Sequence, residues 1–152
     1  MIGLAAGVPA DAVTIDRDHH RASAMAAPLR GATVATYRML EQRVSSQAGD
    51  WDIAIIPPQA DLPLITFGDG VDSLDPAARE ATLTTAWAAR RWNIPALAVP
   101  GLPENEPATP TLGQRRALVV AAVLREQGIT ALPGRPASQS FRLTTPVEGS
   151  TR

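Results

Sequence analysis

Leu64-Ile65-Thr66-Phe67, then Gly68-Asp69-Gly70-Val71-Asp72-Ser73-Leu74-Asp75-Pro76, then an Ala-rich stretch to Trp92, then Ile94–Val99: this run decides the fold class. Two short apolar segments flank a helix-length stretch, and a helical crossover between strands is the unit of a parallel α/β sheet. The helix has a well-made start. Asp75 can cap free N–H groups, and Pro76 falls at the first helical position, where its missing donor costs nothing. Pro95 then forces an extended chain.

Working toward the N-terminus, Asp52–Ile56 is the clearest strand, because Ile53, Ile55 and Ile56 are β-branched and polar alternation is slight. Pro57-Pro58 stops it. Leu62–Phe67 is a second strand, with Pro63 setting its start at an edge or bend. Ala32–Gln47 reads as a helix with Val34, Tyr37, Leu40 and Val44 on one stripe, ended by Gly49. Residues 21–30 are Ala-rich, and Pro28 and Gly31 interrupt any helix there. Ala12–Ile15 is a short apolar run, and Met1–Pro9 is either a first strand or a loose arm.

Toward the C-terminus, Pro100–Pro110 is a Pro-rich loop containing Glu104, Asn105 and Glu106. Thr109 or Thr111 caps a last helix whose buried stripe is Leu112, Val119, Val120, Val123 and Leu124. Gly128 stops that helix, and Ile129–Leu132 is a last strand. The expected fold is a three-layer, Rossmann-like α/β sandwich with a mostly parallel sheet of about five strands, formed as one domain by residues 1–133. Residues 134–152 form a Pro/Ser/Thr-rich tail, expected to be partly disordered and anchored only by Phe141-Arg142-Leu143.

Composition excludes whole classes of chemistry. Fourteen basic residues face fifteen acidic ones, so no nucleic-acid footprint or electrostatic membrane anchor is expected. Every basic residue is Arg; without Lys there is no P-loop lysine and no Schiff base. Without Cys there are no disulfides, thiolate nucleophiles or Cys-held metals. Met1–Ala12 lacks a basic flank and is broken by Gly3, Gly7 and Pro9, so it reads as neither signal peptide nor membrane span. A cytoplasmic protein is the expectation.

In an open parallel sheet, ligands bind beyond the carboxyl ends of the strands. That rule selects Asp16–His20, Pro57–Asp61, Gly68–Asp75, Pro100–Glu106 and Pro133–Arg135. Asp16, Asp18, His19 and His20 are the catalytic candidates, with Asp16, Asp18 and His20 as ligands for a possible divalent metal. Gly68, Asp69, Gly70, Asp72 and Glu104 are the ligand-binding candidates. The two glycines allow close backbone approach. Asp75 competes for the helix N–H groups and the aspartates repel an anion, so a hydroxylated ligand such as a ribose suits this loop better than a bare phosphate.

Three short stretches resemble known families. An apolar run leading into Asp16-x-Asp18-His19-His20 resembles, over about eight residues, one motif of the DHH phosphoesterases. That likeness implies a two-metal site activating water, although the family's aspartate on an earlier strand has no counterpart here. Thr82-Leu83-Thr84-Thr85-Ala86-Trp87 and Asn93–Gly101 resemble the helix and strand of lysine-decarboxylase-like (SLOG) proteins and nucleoside deoxyribosyltransferases. The glycine and glutamate of their helix start are missing. Asp50–Pro58 resembles a strand of ParA-type partition ATPases, and Asp16-Arg17-Asp18 their DxD strand. The aspartate before the two prolines, the P-loop and every lysine are absent, which excludes an ATPase of that type.

The expected function is binding of a nucleotide or nucleoside at the carboxyl edge of the sheet, with hydrolysis or transfer at a phosphoester or N-glycosidic bond as the reaction. Two alternatives stand beside it: a non-catalytic module acting through self-assembly or a protein partner, and a metal-dependent phosphoesterase built on Asp16–His20. Arg90-Arg91 and Arg115-Arg116 read as solvated helix faces. Trp87 and Trp92, five apart, point in different directions, one to the core and one to an edge.

Overall fold

The computed structural model describes residues 10–26, 30–105, 107–135 and 139–145. Met1–Pro9, Pro28, Glu106 and the last residues of the tail lie outside the described residues. The chain forms two compact units, Met1–Asp61 and Leu62–Arg152.

In the first unit, β1 (Ala10–Asp16) and β2 (Arg21–Ala26) form an antiparallel hairpin, and β2 lies parallel to β3 (Asp52–Ile56). Helix α1 (Val34–Gln47) is the crossover between β2 and β3. Strand β2 corrects the sequence reading, in which residues 21–30 are an interrupted Ala-rich segment. Alanine favours helix, but Ala22, Ala24 and Ala26 alternate with Arg21, Ser23 and Met25, a strand period of two. The alanines are buried and their neighbours are not. Ile53 and Ile55 continue the same buried face onto β3.

The helix turns Val34, Tyr37, Glu41 and Val44 inward. The expected stripe contains Leu40, which is only half-buried; its successor Glu41 takes the inward position. Spacings of three, four and three follow the 3.6-residue turn more closely than the expected three, three and four.

The second unit contains β4 (Ile65–Thr66), α2 (Pro76–Arg91), β5 (Ala96–Pro100), α3 (Leu112–Glu126), β6 (Thr130–Gly134) and β7 (Ser140–Phe141). Strands β5 and β6 are parallel and joined by α3, a second β–α–β unit. The caps fall where the sequence puts them. Asp75 Oδ1 accepts from the Ala78 N–H at 2.7 Å with Pro76 at the helix start, and Thr111 Oγ1 accepts from the Gln114 N–H at 3.2 Å. Along α2 the buried Thr82 and Thr85 hydroxyls donate to the carbonyls of Ala78 and Ala81, so their burial leaves no orphan donor. Trp87 is buried and Trp92 half-buried, matching their divided roles.

The stretch 139–145 forms a strap. Ser140 and Phe141 pair antiparallel with Thr66 and Ile65, and Thr144 bridges to Ala98 through N–H···O bonds of 2.8 and 3.3 Å. Alternate residues of an extended chain face opposite edges, so the strap lies between β4 and β5. Phe141 and Leu143 are buried, and Phe141 packs against Phe67 at 6.0 Å between ring centroids. Phe141-Arg142-Leu143 is the anchor expected from the sequence.

Among the described residues the protein is therefore a mixed α/β fold with three helices and several strands in small sheets, and no closed barrel. No described helix is long and apolar enough to cross a membrane.

Candidate functional site

Asp16 closes β1, and Arg17–His20 form the hairpin turn, with His20 in the left-handed region at φ 51°. Because the hairpin is antiparallel, this tip lies at the carboxyl end of β1 but at the amino ends of β2 and β3. The pairing Asp16↔Arg21↔Asp52 and the 2.7 Å bond from the Asp52 N–H to the His20 carbonyl fix that position. Pro57–Asp61, at the other end of β3, cannot converge with the tip. The rule that gathers both segments at one edge assumes all-parallel strands, and the hairpin breaks it.

The tip is built from two His–Asp pairs. Asp16 holds His19 at two points, accepting from its N–H at 3.3 Å and pairing with Nδ1 at 2.8 Å. A carboxylate here accepts, so in the neutral ring Nδ1 carries the hydrogen and Nε2 keeps its lone pair. His20 instead turns to Asp50, with Nδ1 at 3.0 Å from Oδ2, and stacks on Trp51 at 5.3 Å and 12°. Asp50 and Trp51 are missing from the sequence-derived candidates. Their approach to His20 follows from the β2–β3 register, Arg21 opposite Asp52, which no local pattern in the sequence announces.

Asp16, Asp18 and His20, the metal candidates, are not drawn together. Asp16 serves His19, His20 serves Asp50, and Asp18 is exposed. Among the described residues no three His, Cys, Asp or Glu side chains group to hold a metal. The donor set does not fit a resident divalent ion.

The face of the sheet away from the buried alanines carries Thr14, Ser23 and Ala54 in one row and Asp16, Arg21 and Asp52 in the next. With Ala22 these residues line a cavity of about 280 Å³. It offers two carboxylates, a guanidinium and two hydroxyls.

In the second unit the glycine-acid loop is fastened to the fold. Val71 N–H donates to the Gly68 carbonyl at 3.0 Å, and Gly70 takes φ 69°. Arg116, buried beneath the loop, donates to the carbonyls of Val71 at 2.7 Å and Gly68 at 3.0 Å, and its guanidinium lies 5.4 Å over the Phe67 ring. Arg115 Nε pairs with Asp72 at 2.8 Å. The reading of Arg115-Arg116 as a solvated helix face is corrected for Arg116, which is buried as a clamp on the loop, while Arg115 is exposed and reaches Asp72 from the surface. Arg90 is likewise engaged, donating to the carbonyl and side chain of Gln127. Asp69 and Glu104 are exposed.

A cavity of about 310 Å³ beside the loop is lined by Leu64, Thr66, Phe67, Gly68, Asp75, Ala77 and Ala78. Its polar side chains are already engaged, Thr66 with Ser140 at 2.9 Å and Asp75 with the helix start. Past β4, the strap's Gln139 donates its side-chain amide to the Phe67 carbonyl.

No family model matches the chain, and no curated protein or solved structure matches it.

Proposed function

We propose that the protein binds a small hydroxylated molecule, a nucleoside or nucleotide, in the open groove of the β1–β2–β3 sheet. One observation carries this reading: the groove presents Asp16, Asp52, Arg21, Thr14 and Ser23 together around about 280 Å³. Each carboxylate can accept from a ligand hydroxyl, and Arg21, between Asp16 and Asp52 in the row, can meet a phosphate or a carbonyl edge. Asp16 lies in the groove and also holds His19, so a proton acceptor stands next to the binding surface, as hydrolysis or transfer would use. The Rossmann-like reading of the fold has support in its β2–α1–β3 and β5–α3–β6 units, both parallel with helical crossovers. A cytoplasmic location agrees with such a ligand.

The exposure of Met25, 53%, on the same face as the groove favours a second reading, a module that assembles through this face. A thermal-shift screen against nucleosides, nucleotides and free sugars separates the two. A ligand at a hundredfold excess over its dissociation constant stabilises the bound state by about 2.7 kcal/mol. The first reading expects a shift that Asp16→Ala and Asp52→Ala abolish and Asp69→Ala leaves intact. No shift with any of these compounds, with a mass that grows with concentration, would replace it by the second.

A further inference from the structure

We infer that Glu41 is an edge guard, a side chain that keeps β3 from recruiting a further strand. The Asp52 N–H points to β2, since it donates to His20 at 2.7 Å. Backbone groups alternate along a strand, so Ala54 also faces β2, whereas Ile53 and Ile55 present their N–H and C=O groups to the other side. That side is a sheet edge among the described residues. Edges of this kind template pairing with other chains unless something blocks them.

Here the block is specific. Glu41, at 7% exposure, carries its carboxylate down from α1, and Oε2 accepts from the Ile55 N–H at 2.7 Å. Burying a carboxylate is costly unless it is hydrogen-bonded, and an apolar residue at this inward position would pack without that cost. The acid places a charged acceptor where an incoming strand's carbonyl would have to sit.

The occupant it excludes is β3 of a second copy. Asp52–Ile56 is apolar at four of its five positions and β-branched at three, the composition that pairs readily. Antiparallel self-pairing about Ala54 would set Ile53 against Ile55 and Asp52 against Ile56. The two aspartates would not oppose each other, so the strand's own charges do not forbid the pairing, and the Glu41 carboxylate stands in its way.

The test is the mass of the full chain by light scattering over a concentration series, with folding followed by circular dichroism. Glu41→Ala is expected to remain folded and double its mass. Glu41→Gln, whose carbonyl still accepts from Ile55, is expected to keep the wild-type mass. Adding Ala54→Lys, a charge in mid-strand, should return Glu41→Ala to the wild-type mass. A folded Glu41→Ala at the wild-type mass overturns the inference. An unfolded one does so too, since Glu41 would then be a core pin alone, and so does a doubling that Ala54→Lys leaves in place.

Discussion

The hairpin tip of the first unit and the glycine-acid loop of the second are alike in sequence. Both are short, acidic and placed after an apolar run. In the fold they differ in what their polar groups are occupied with. The loop of the second unit uses its groups on its own scaffold: Asp75 caps a helix, Asp72 meets Arg115, and the Gly68 and Val71 carbonyls are taken by buried Arg116. The tip pairs Asp16 with His19 and Asp50 with His20 at exposed positions, and it sets Asp16, Arg21 and Asp52 in a row facing the groove. Polar residues after a strand indicate a site only when the fold has not already consumed them.

That contrast predicts opposite responses to mutation, large on stability in the second unit and small in the first. The largest effect belongs to the strap. Phe141→Ala removes a buried ring packed on Phe67, and such truncations cost about 3–5 kcal/mol. Urea unfolding followed by fluorescence reads the change. A loss under about 1 kcal/mol would mean that the strap is not part of the core. Next comes Arg116→Met, which keeps most of the apolar stem but removes the guanidinium's bonds to the Val71 and Gly68 carbonyls. The expected loss is about 1.5–3 kcal/mol, the range for hydrogen bonds made by a charged group. A neutral result would show that the loop does not depend on its clamp.

How much of this was legible depends on the range of the interaction. The caps of α2 and α3 were readable because Asp75-Pro76 and Thr111 act within one turn of themselves. The β-branched run of β3 was readable for the same reason. Strand β2 was not, since its alternation is written in alanine, whose propensity points to helix, and only the hairpin partner makes it a strand. The strap is legible as an anchor, but its insertion between β4 and β5 depends on residues 65–66 and 98, far away in the chain. His20–Asp50 and Arg116–Gly68 are long-range as well, 30 and 48 residues apart. No local pattern encodes them.

Gly134 gives a smaller and sharper test of the second unit. A Cβ there would sit 2.8 Å from the Val99 carbonyl oxygen and 3.0 Å from its carbon, both backbone atoms of the neighbouring strand. Neither can swing aside, so Gly134→Ala should cost about 1–3 kcal/mol through displacement of β6 from β5. An unchanged midpoint in urea would mean that β6 is free to shift.

The smallest expected effect on stability is at Asp16, and it bears most directly on function. Its side chain is 47% exposed and its partner His19 is 68% exposed, and a solvated pair of this kind contributes little to folding. Asp16→Asn should therefore move stability by no more than about 0.5 kcal/mol. The amide keeps the size of the carboxylate, but it loses the charge and one of the two acceptors that a ligand hydroxyl would use. Binding measured by calorimetry should fall roughly tenfold or more for any nucleoside the wild-type protein holds, as loss of a charge-assisted hydrogen bond implies, while the melting temperature without ligand stays put. If the asparagine variant instead unfolds as readily as Arg116→Met, the tip is tied into the fold no less firmly than the loop, and the difference between the two regions disappears.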